Sequence, residues 1–338
     1  MPESQQHRIA VIGAGSWGTA LAILLSGNDV YTTLWGHLPE QMKLLQDQRS
    51  NEEFLPGIKF PDTLHPCINL EDAMADIDDV LVVVPSHVFR IVLEQIKPYL
   101  SDSARVCWAT KGLENGTAKL LDEIARECLG DTIPLGVVSG PTFARELAEG
   151  LPTAITIAST DSEFSSYMAS IMCNHQFRAY TSTDVIGVEI GGAVKNILAI
   201  AAGIADGLGF GANTRAALIT RGLHEIMRLG TRLGGHAETF MGLAGMGDLV
   251  LTCTDNQSRN RRFGIALSNG MSQQQALDSI GQVVEGIQTA KEINRLANKL
   301  GIEMPITTQV YRVLYEDLEP RLAVQELFER ELKAESDQ

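Results

Sequence analysis

Positive charge is scarce in this 338-residue chain: 27 Lys and Arg stand against 42 Asp and Glu, a formal net charge of −15. That balance disfavours nucleic acid and anionic membrane surfaces as partners, while leaving room for a local basic pocket that takes a small anion. Cysteine is also sparse. Cys67, Cys107, Cys128, Cys173 and Cys253 are odd in number, widely spread and form no C-x-x-C pair. A disulfide scaffold and a zinc site are therefore not expected. The seven histidines show no H-x-x-x-H or H-E-x-x-H spacing, so no metal is expected. No apolar run approaches the ~20 residues that span a bilayer, and no membrane insertion is expected. The start, "MPESQQHRIAVIG", lacks the basic and apolar regions of a signal peptide, which makes a cytoplasmic protein the expectation. Internal repeats, low-complexity tracts and long linkers are absent as well.

What is present falls into two textures. In the first half, "RIAVIGAG", "DVYTTLWG", "DDVLVVVPS", "ARVCWATKG", "IPLGVVSG", "PTAITIAS" and "FRAYTST" read as strands, several of them separated by helical patterns such as "SWGTALAILLSG". β-branched runs alternating with helices predict an α/β domain, a Rossmann-like, doubly wound and mostly parallel sheet, over residues 1–183. From about Asp184 the pattern becomes helical: "DVIGVEIGGAVKNILAIAAGIADGLG", "TRAALITRGLHEIMRLGTRLGG", "SQQQALDSI", "EGIQTAKEINRLANKL" and "ITTQVYRVLYEDL". An all-helical C-terminal domain is expected over 184–338, with the polar "ELKAESDQ" fraying at its end.

Gly13, Gly15 and Gly18 form G-x-G-x-x-G between the first strand and the first helix. The first glycine permits the tight turn, the second lets backbone approach a pyrophosphate, and the third allows close helix–sheet packing. The motif alone is weak, but its strand–turn–helix context favours dinucleotide binding. NAD-selective sites usually end the second strand with Asp or Glu for the ribose hydroxyls; here Gly36 and His37 stand there. The missing acid tilts the cofactor toward NADP(H), with NAD(H) open; His37 could stack on adenine or face the phosphate, and is nearly as readable as an ordinary surface histidine at a strand end.

Three further residues carry chemistry. Lys111 in "ATKGLENG" ends a sheet strand, where such folds bind ligands, although a lysine at a strand end is common. Lys195, followed by Asn196, lies among Gly, Ala, Val and Ile, where a lysine is seldom placed without a partner. Desolvation there lowers a lysine's pKa, which suits proton transfer. Asp248, closing a glycine-rich and flexible segment in "GLAGMGDLVLTCT", could pair with Lys195 or be a turn or N-cap aspartate. Together they suggest carbonyl reduction with a cation polarising the oxygen. "SRNRRFG" adds three arginines, Arg259, Arg261 and Arg262, either a solvated face or an anion grip.

The motifs "GAGSWGTALA", "LWGH", "FLPGIKFP", "VVPSH", "ATKGLE", "SGPTFARE", "GVEIGGAVKNILAIAAGI", "GLAGMGDLVLTCT", "SRNRRFG" and "VVEG" run in order through nearly the whole chain. In them the sequence resembles the bacterial-type NAD(P)-dependent glycerol-3-phosphate dehydrogenases. The resemblance implies reversible reduction of dihydroxyacetone phosphate to sn-glycerol 3-phosphate with NADPH or NADH, a supply of glycerol phosphate for phospholipids, and a homodimer. It implies Lys195 as proton donor and acceptor, with Lys111 touching substrate and cofactor. Gly140, Thr142, Asn196, Asp248, Ser258, Arg259 and Asn260 would contact substrate. Ser16, Trp17, His37, Ala144, Arg259, Val283 and Glu285 would contact the nucleotide. Of Arg261 and Arg262, at least one is expected to be a surface or structural arginine. The runner-up is a β-hydroxyacid or 6-phosphogluconate type dehydrogenase. It is disfavoured because Asn196 follows Lys195 directly, whereas in that family the asparagine lies one helical turn later. A non-enzymatic dinucleotide sensor would need the glycine turn but not Lys111, Lys195 and Asp248.

Overall fold

The structure, a computed structural model, describes residues 7–330; the expected fraying of "ELKAESDQ" lies outside the described residues. The chain packs as two compact units. Unit 1 runs to Thr110 and resumes over Leu121–Val185; unit 2 holds Lys111–Leu120 and the chain from Ile186 onward. The single boundary expected at 183/184 is thus joined by an earlier excursion, which carries Lys111 out of the sheet unit and into the helical one. The reason is local: Leu113, Ala118 and Leu120 are buried in the helical core and not beside the sheet.

Unit 1 is an eight-stranded sheet: β1 (Arg8–Ile12), β2 (Tyr31–Trp35), β3 (Leu64–Cys67), β4 (Asp79–Val82), β5 (Arg105–Trp108), β6 (Leu135–Ser139), β7 (Thr153–Ala158) and β8 (Phe177–Ser182). Their order is β3-β2-β1-β4-β5-β6-β7-β8. Every pairing is parallel except β6 with β7. β4 and β6 are buried along their whole length, as parallel strands covered on both faces must be. Helices α1 (Ser16–Gly27), α2 (Pro39–Gln48), α3 (Leu70–Met74), α4 (Phe89–Ile96), α5 (Leu121–Leu129), α6 (Ala144–Ala148) and α7 (Ser162–Met172) alternate with the strands. The expectation lacked β3. Its sequence, "LHPC", has no apolar run, and Pro66 is tolerated because β3 is an edge strand. β1 lies between β2 and β4, so strand order reverses beside it. Open α/β sheets bind ligands beyond the strand ends at such a point.

Unit 2 is helical: α8 (Val185–Gly207), α9 (Ala212–Arg232), α10 (Ala237–Phe240), α11 (Asp248–Thr254), α12 (Arg259–Ser268), α13 (Gln273–Ile280), α14 (Glu285–Leu300), α15 (Pro305–Tyr315) and α16 (Pro320–Phe328). The expectation that no apolar run approaches membrane-spanning length is corrected by α8, which is long and apolar enough by length and composition, yet 94% of its apolar window is buried inside the protein. Val194, Ile197, Leu198 and Ile200 are all fully buried, so the helix is apolar all round because other helices surround it. Glycines let those neighbours come close. A Cβ on Gly203 would lie 2.0 Å from the Arg261 carbonyl oxygen of α12, and one on Gly191 would lie 2.5 Å from that of Ala244.

Candidate active site

In unit 1, β1 ends at Ile12 and the chain turns through Gly13, at φ +129°, into α1. Gly13 N donates to the Trp35 carbonyl at 2.7 Å, which fixes the start of the turn against β2. A Cβ on Gly13 would meet the Val83 carbonyl oxygen at 2.1 Å, and one on Gly18 the Gly13 carbonyl oxygen at 1.8 Å. Around Gly15 there is nothing within 4 Å of the corresponding position. The turn is therefore closed where helix meets sheet and open where a ligand would approach. No side chain caps α1, so the N–H groups of its first turn, at Ser16 and Trp17, are left for an anion. The Trp17 indole N–H is buried without a protein partner. These features fit a dinucleotide pyrophosphate. His37 is exposed just past β2, beside Gly36, and no carboxylate stands there. Gly140 leaves β6 at φ +153°, Thr142 is half-buried, and Ala144 opens α6, which packs on α1.

In unit 2 the charged candidates meet. Lys195, 6% exposed in the middle of α8, donates to Asp248 Oδ1 and, at 3.0 Å, to Thr252 Oγ1. The other oxygen of Asp248 accepts from Lys111 Nζ at 2.5 Å. Asp248 is fully buried, and the Lys111 side chain is only 15% exposed. One carboxylate thus holds two ammonium groups, and the cluster keeps a net positive charge in a site of low dielectric. Burial pushes the Lys195 pKa down to about 8; Lys111 beside it pushes the same way, and Asp248 opposes them.

The carboxylate is delivered by backbone. The segment expected to be a flexible glycine-rich stretch is a single π turn, Leu243–Gly247, running straight into α11. Gly191 of α8 lets that turn pack against the helix that carries Lys195. Such turns recur at functional sites because they shift the register of the side chains that follow. Thr252 was missed by sequence reasoning. Its position four residues after Asp248 is the signal that could have found it, since i and i+4 share a helix face. Its hydroxyl donates to the Asp248 carbonyl at 2.6 Å and so offers its oxygen to Lys195.

Next along α8, Asn196 Oδ1 accepts from Asn260 Nδ2, and Asn260 Oδ1 accepts from the Gly286 N–H, both at 2.9 Å. This chain ties α8 to the first turns of α12 and α14, the latter beginning at Glu285 just past exposed Val283. Ser258 caps α12, its Oγ accepting from Arg261 N at 3.2 Å. The arginines of "SRNRRFG" then separate. Arg261 is buried, bonded to Asp206 and Asn256; Arg262 is exposed. Arg259 is half-buried, and among the described residues its guanidinium makes one hydrogen bond, a 3.4 Å contact to Gln282 Oε1. Among the described residues no group of three or more His, Cys, Asp or Glu is placed to hold a metal.

A dinucleotide turn together with a lysine pair organised by a buried carboxylate defines a nicotinamide-dependent carbonyl oxidoreductase. Comparison with known proteins sharpens the class. The profile of the NAD-dependent glycerol-3-phosphate dehydrogenase N-terminus matches residues 8–165, and that of the C-terminus matches residues 184–325. The chain is 57% identical to the NAD(P)+ glycerol-3-phosphate dehydrogenase of Shewanella pealeana, over 97% of each chain. It is 55% identical to that of Vibrio cholerae, over 99% of this chain and all of the other. The crystal structure of glycerol-3-phosphate dehydrogenase from Coxiella burnetii superimposes with a TM-score of 0.94 at 48% identity, covering 96% of this chain and 99% of that one. The chain belongs to the NAD-dependent glycerol-3-phosphate dehydrogenase family.

Proposed function

We propose that this protein reversibly reduces dihydroxyacetone phosphate to sn-glycerol 3-phosphate with NADPH or NADH. The observation that carries the reading is the Lys111–Asp248–Lys195 cluster, in which one buried carboxylate organises two lysines and burial lowers the pKa of Lys195. When bound, the dinucleotide supplies a hydride to the ketone carbon. The Gly13–Gly18 turn holds its pyrophosphate, while Ser16, Trp17, His37, Ala144, Val283 and Glu285 shape the rest of its site. Protonated Lys195 donates to the carbonyl oxygen as negative charge develops there, and in the reverse direction neutral Lys195 takes the alcohol proton. Asp248 and Thr252 aim the Lys195 ammonium, and Lys111 adds a second positive charge for the oxyanion. Arg259, half-buried and with a single long contact to Gln282, grips the phosphate with Ser258 and Asn260. Asn196, Gly140 and Thr142 complete the substrate contacts. Holding the phosphate fixes the ketone for reaction, so remote binding energy is used for orientation.

In this reading residues 1–183 supply the dinucleotide-binding domain and 184–338 the substrate domain, with Lys111 lent to the latter. The protein works in the cytoplasm as a homodimer and supplies glycerol phosphate for phospholipid synthesis. The test is steady-state oxidation of each reduced cofactor with dihydroxyacetone phosphate and with unphosphorylated dihydroxyacetone. Turnover that requires the phosphorylated ketone is expected, with NADPH used at least as well as NADH because no carboxylate faces a 2′-phosphate. Equal use of the two ketones would remove the phosphate grip. An NADH preference of about tenfold or more, roughly 1.4 kcal/mol, would overturn the cofactor reading.

A further inference from the structure

The segment between α2 and β3 contributes nothing to the chemistry described so far, yet it contains one of the most enclosed polar side chains of unit 1. Asn51 is 1% exposed. Its Nδ2 donates to the Ala14 carbonyl at 3.0 Å and to Thr19 Oγ1 at 2.8 Å, and its Oδ1 accepts from Phe54 N at 3.3 Å. Both N–H groups are therefore spent on the glycine turn: Ala14 stands between Gly13 and Gly15, and Thr19, itself fully buried, lies in the first turns of α1.

The turn needs such a brace. Gly13 and Gly15 have no side chains with which to hold it, and α1 has no side-chain cap. From one side the Gly13 N–H to Trp35 bond secures it. From the other, Asn51 does. The segment is in turn built to hold Asn51 still. Ser50 bridges to Lys59, Phe60 N donates to the Arg49 carbonyl at 2.8 Å, and Leu55 N donates to the Asn51 carbonyl at 2.7 Å. Glu52 accepts from Gly57 N at 3.0 Å, and Leu55 and Phe60 are buried in the core of unit 1.

We infer that Asn51 is a positioning residue for the dinucleotide: through Ala14 and Thr19 it sets the shape of the pyrophosphate turn from behind. The inference rests on the reading that this turn takes the pyrophosphate. Asn51→Ala leaves a carbonyl and a hydroxyl buried without their donor, and the turn relaxes. Thr19→Val keeps the shape of the helix and removes one of the two acceptors.

The experiment measures dissociation constants of NADPH and NADH by direct titration of the full chain, alongside KM for dihydroxyacetone phosphate at saturating cofactor. Asn51→Ala is expected to weaken both nucleotides about tenfold and Thr19→Val about threefold. The ketone KM and the pH inflection of turnover should stay at their wild-type values, a split that general loosening of the fold would not give. Gly15→Val reports on the underlying reading. The position is open and extended, at φ −78° and ψ −175°, so the variant folds but blocks the approach to the turn. Wild-type affinity in Gly15→Val would overturn the turn as the nucleotide site and the role of Asn51 with it. Loss of binding in Gly15→Val with unchanged affinity in folded Asn51→Ala would overturn the role of Asn51 alone. If Asn51→Ala does not fold, unchanged affinity in Thr19→Val overturns it.

Discussion

In the proposed reading unit 1 meets its ligand with backbone: the turn from Gly13 to Gly18 carries no ionisable side chain, and at Gly13 and Gly18 its shape is enforced by contacts too close for any Cβ. Unit 2 works the other way, with buried Lys195 and half-buried Lys111 bonded to one buried aspartate and, on α12, an Arg259 guanidinium with a single long contact to Gln282. The difference follows from what each must handle. A pyrophosphate keeps its charge throughout the reaction, so fixed N–H dipoles suffice and the same turn serves either nucleotide. A ketone becomes an alkoxide and then an alcohol, so its site needs a group whose charge can change near working pH. Only a titratable side chain held out of water provides that.

The largest test of this contrast is Lys195→Ala. Turnover should fall by about a thousandfold, within the usual range for a lost general acid, while the nucleotide dissociation constants stay unchanged. Weakened nucleotide binding would mean that Lys195 supports the fold instead. The same residue sets the pH dependence in the wild type. Ketone reduction needs protonated Lys195, so its rate should decline as pH rises through about 8, and alcohol oxidation should rise over the same interval. A reduction rate that stays flat from pH 7 to 9.5 would remove Lys195 from the proton transfer.

Asp248→Asn comes next. It removes the one negative charge between buried Lys195 and half-buried Lys111, a change of the kind that costs about 3–5 kcal/mol when a buried pair is broken. Denaturant unfolding should show the loss. The pH inflection of reduction should also move to lower pH, because the group that opposes desolvation of Lys195 is gone. An unmoved inflection would show that Asp248 does not tune Lys195.

The arginines give the smallest and most selective comparison. Arg259→Ala should lower kcat/KM for dihydroxyacetone phosphate by about 2–5 kcal/mol in transition-state terms, yet leave the weak use of dihydroxyacetone nearly unchanged. Arg261→Ala should instead reduce stability, because half-buried Asp206 loses a partner, and Arg262→Ala should change either quantity by about 0.5 kcal/mol or less. If all three lower the ratio of the two ketones alike, the cluster acts as a diffuse positive face and the division among them is wrong.

Local sequence by itself determined a good deal. Sequence pattern marks seven of the eight strands, most clearly β4 and β6, which are buried along their whole length and so are continuously apolar; β3, a short edge strand with Pro66, has no such signal. The helices whose apolar stripe or length is strong are legible for the same reason. Gly13 and Gly18 are readable because close packing there tolerates nothing larger, Gly15 because it completes the G-x-G-x-x-G spacing while its own surroundings stay open, and Lys195 because a lysine in an apolar helix demands a partner. Only the tertiary structure decided who that partner is. Asp248 lies 53 residues further along the chain and Lys111 lies 84 before Lys195, so their meeting depends on how α8, the π turn and the Lys111–Leu120 excursion pack. Packing likewise sorted three adjacent-looking arginines into one buried, one exposed and one half-buried with a single long contact, a distinction that burial and partners create and that residue type cannot. Asn51 was invisible for the same physical reason: an asparagine in a polar loop reads as solvent-facing until the chain folds it behind the turn it braces.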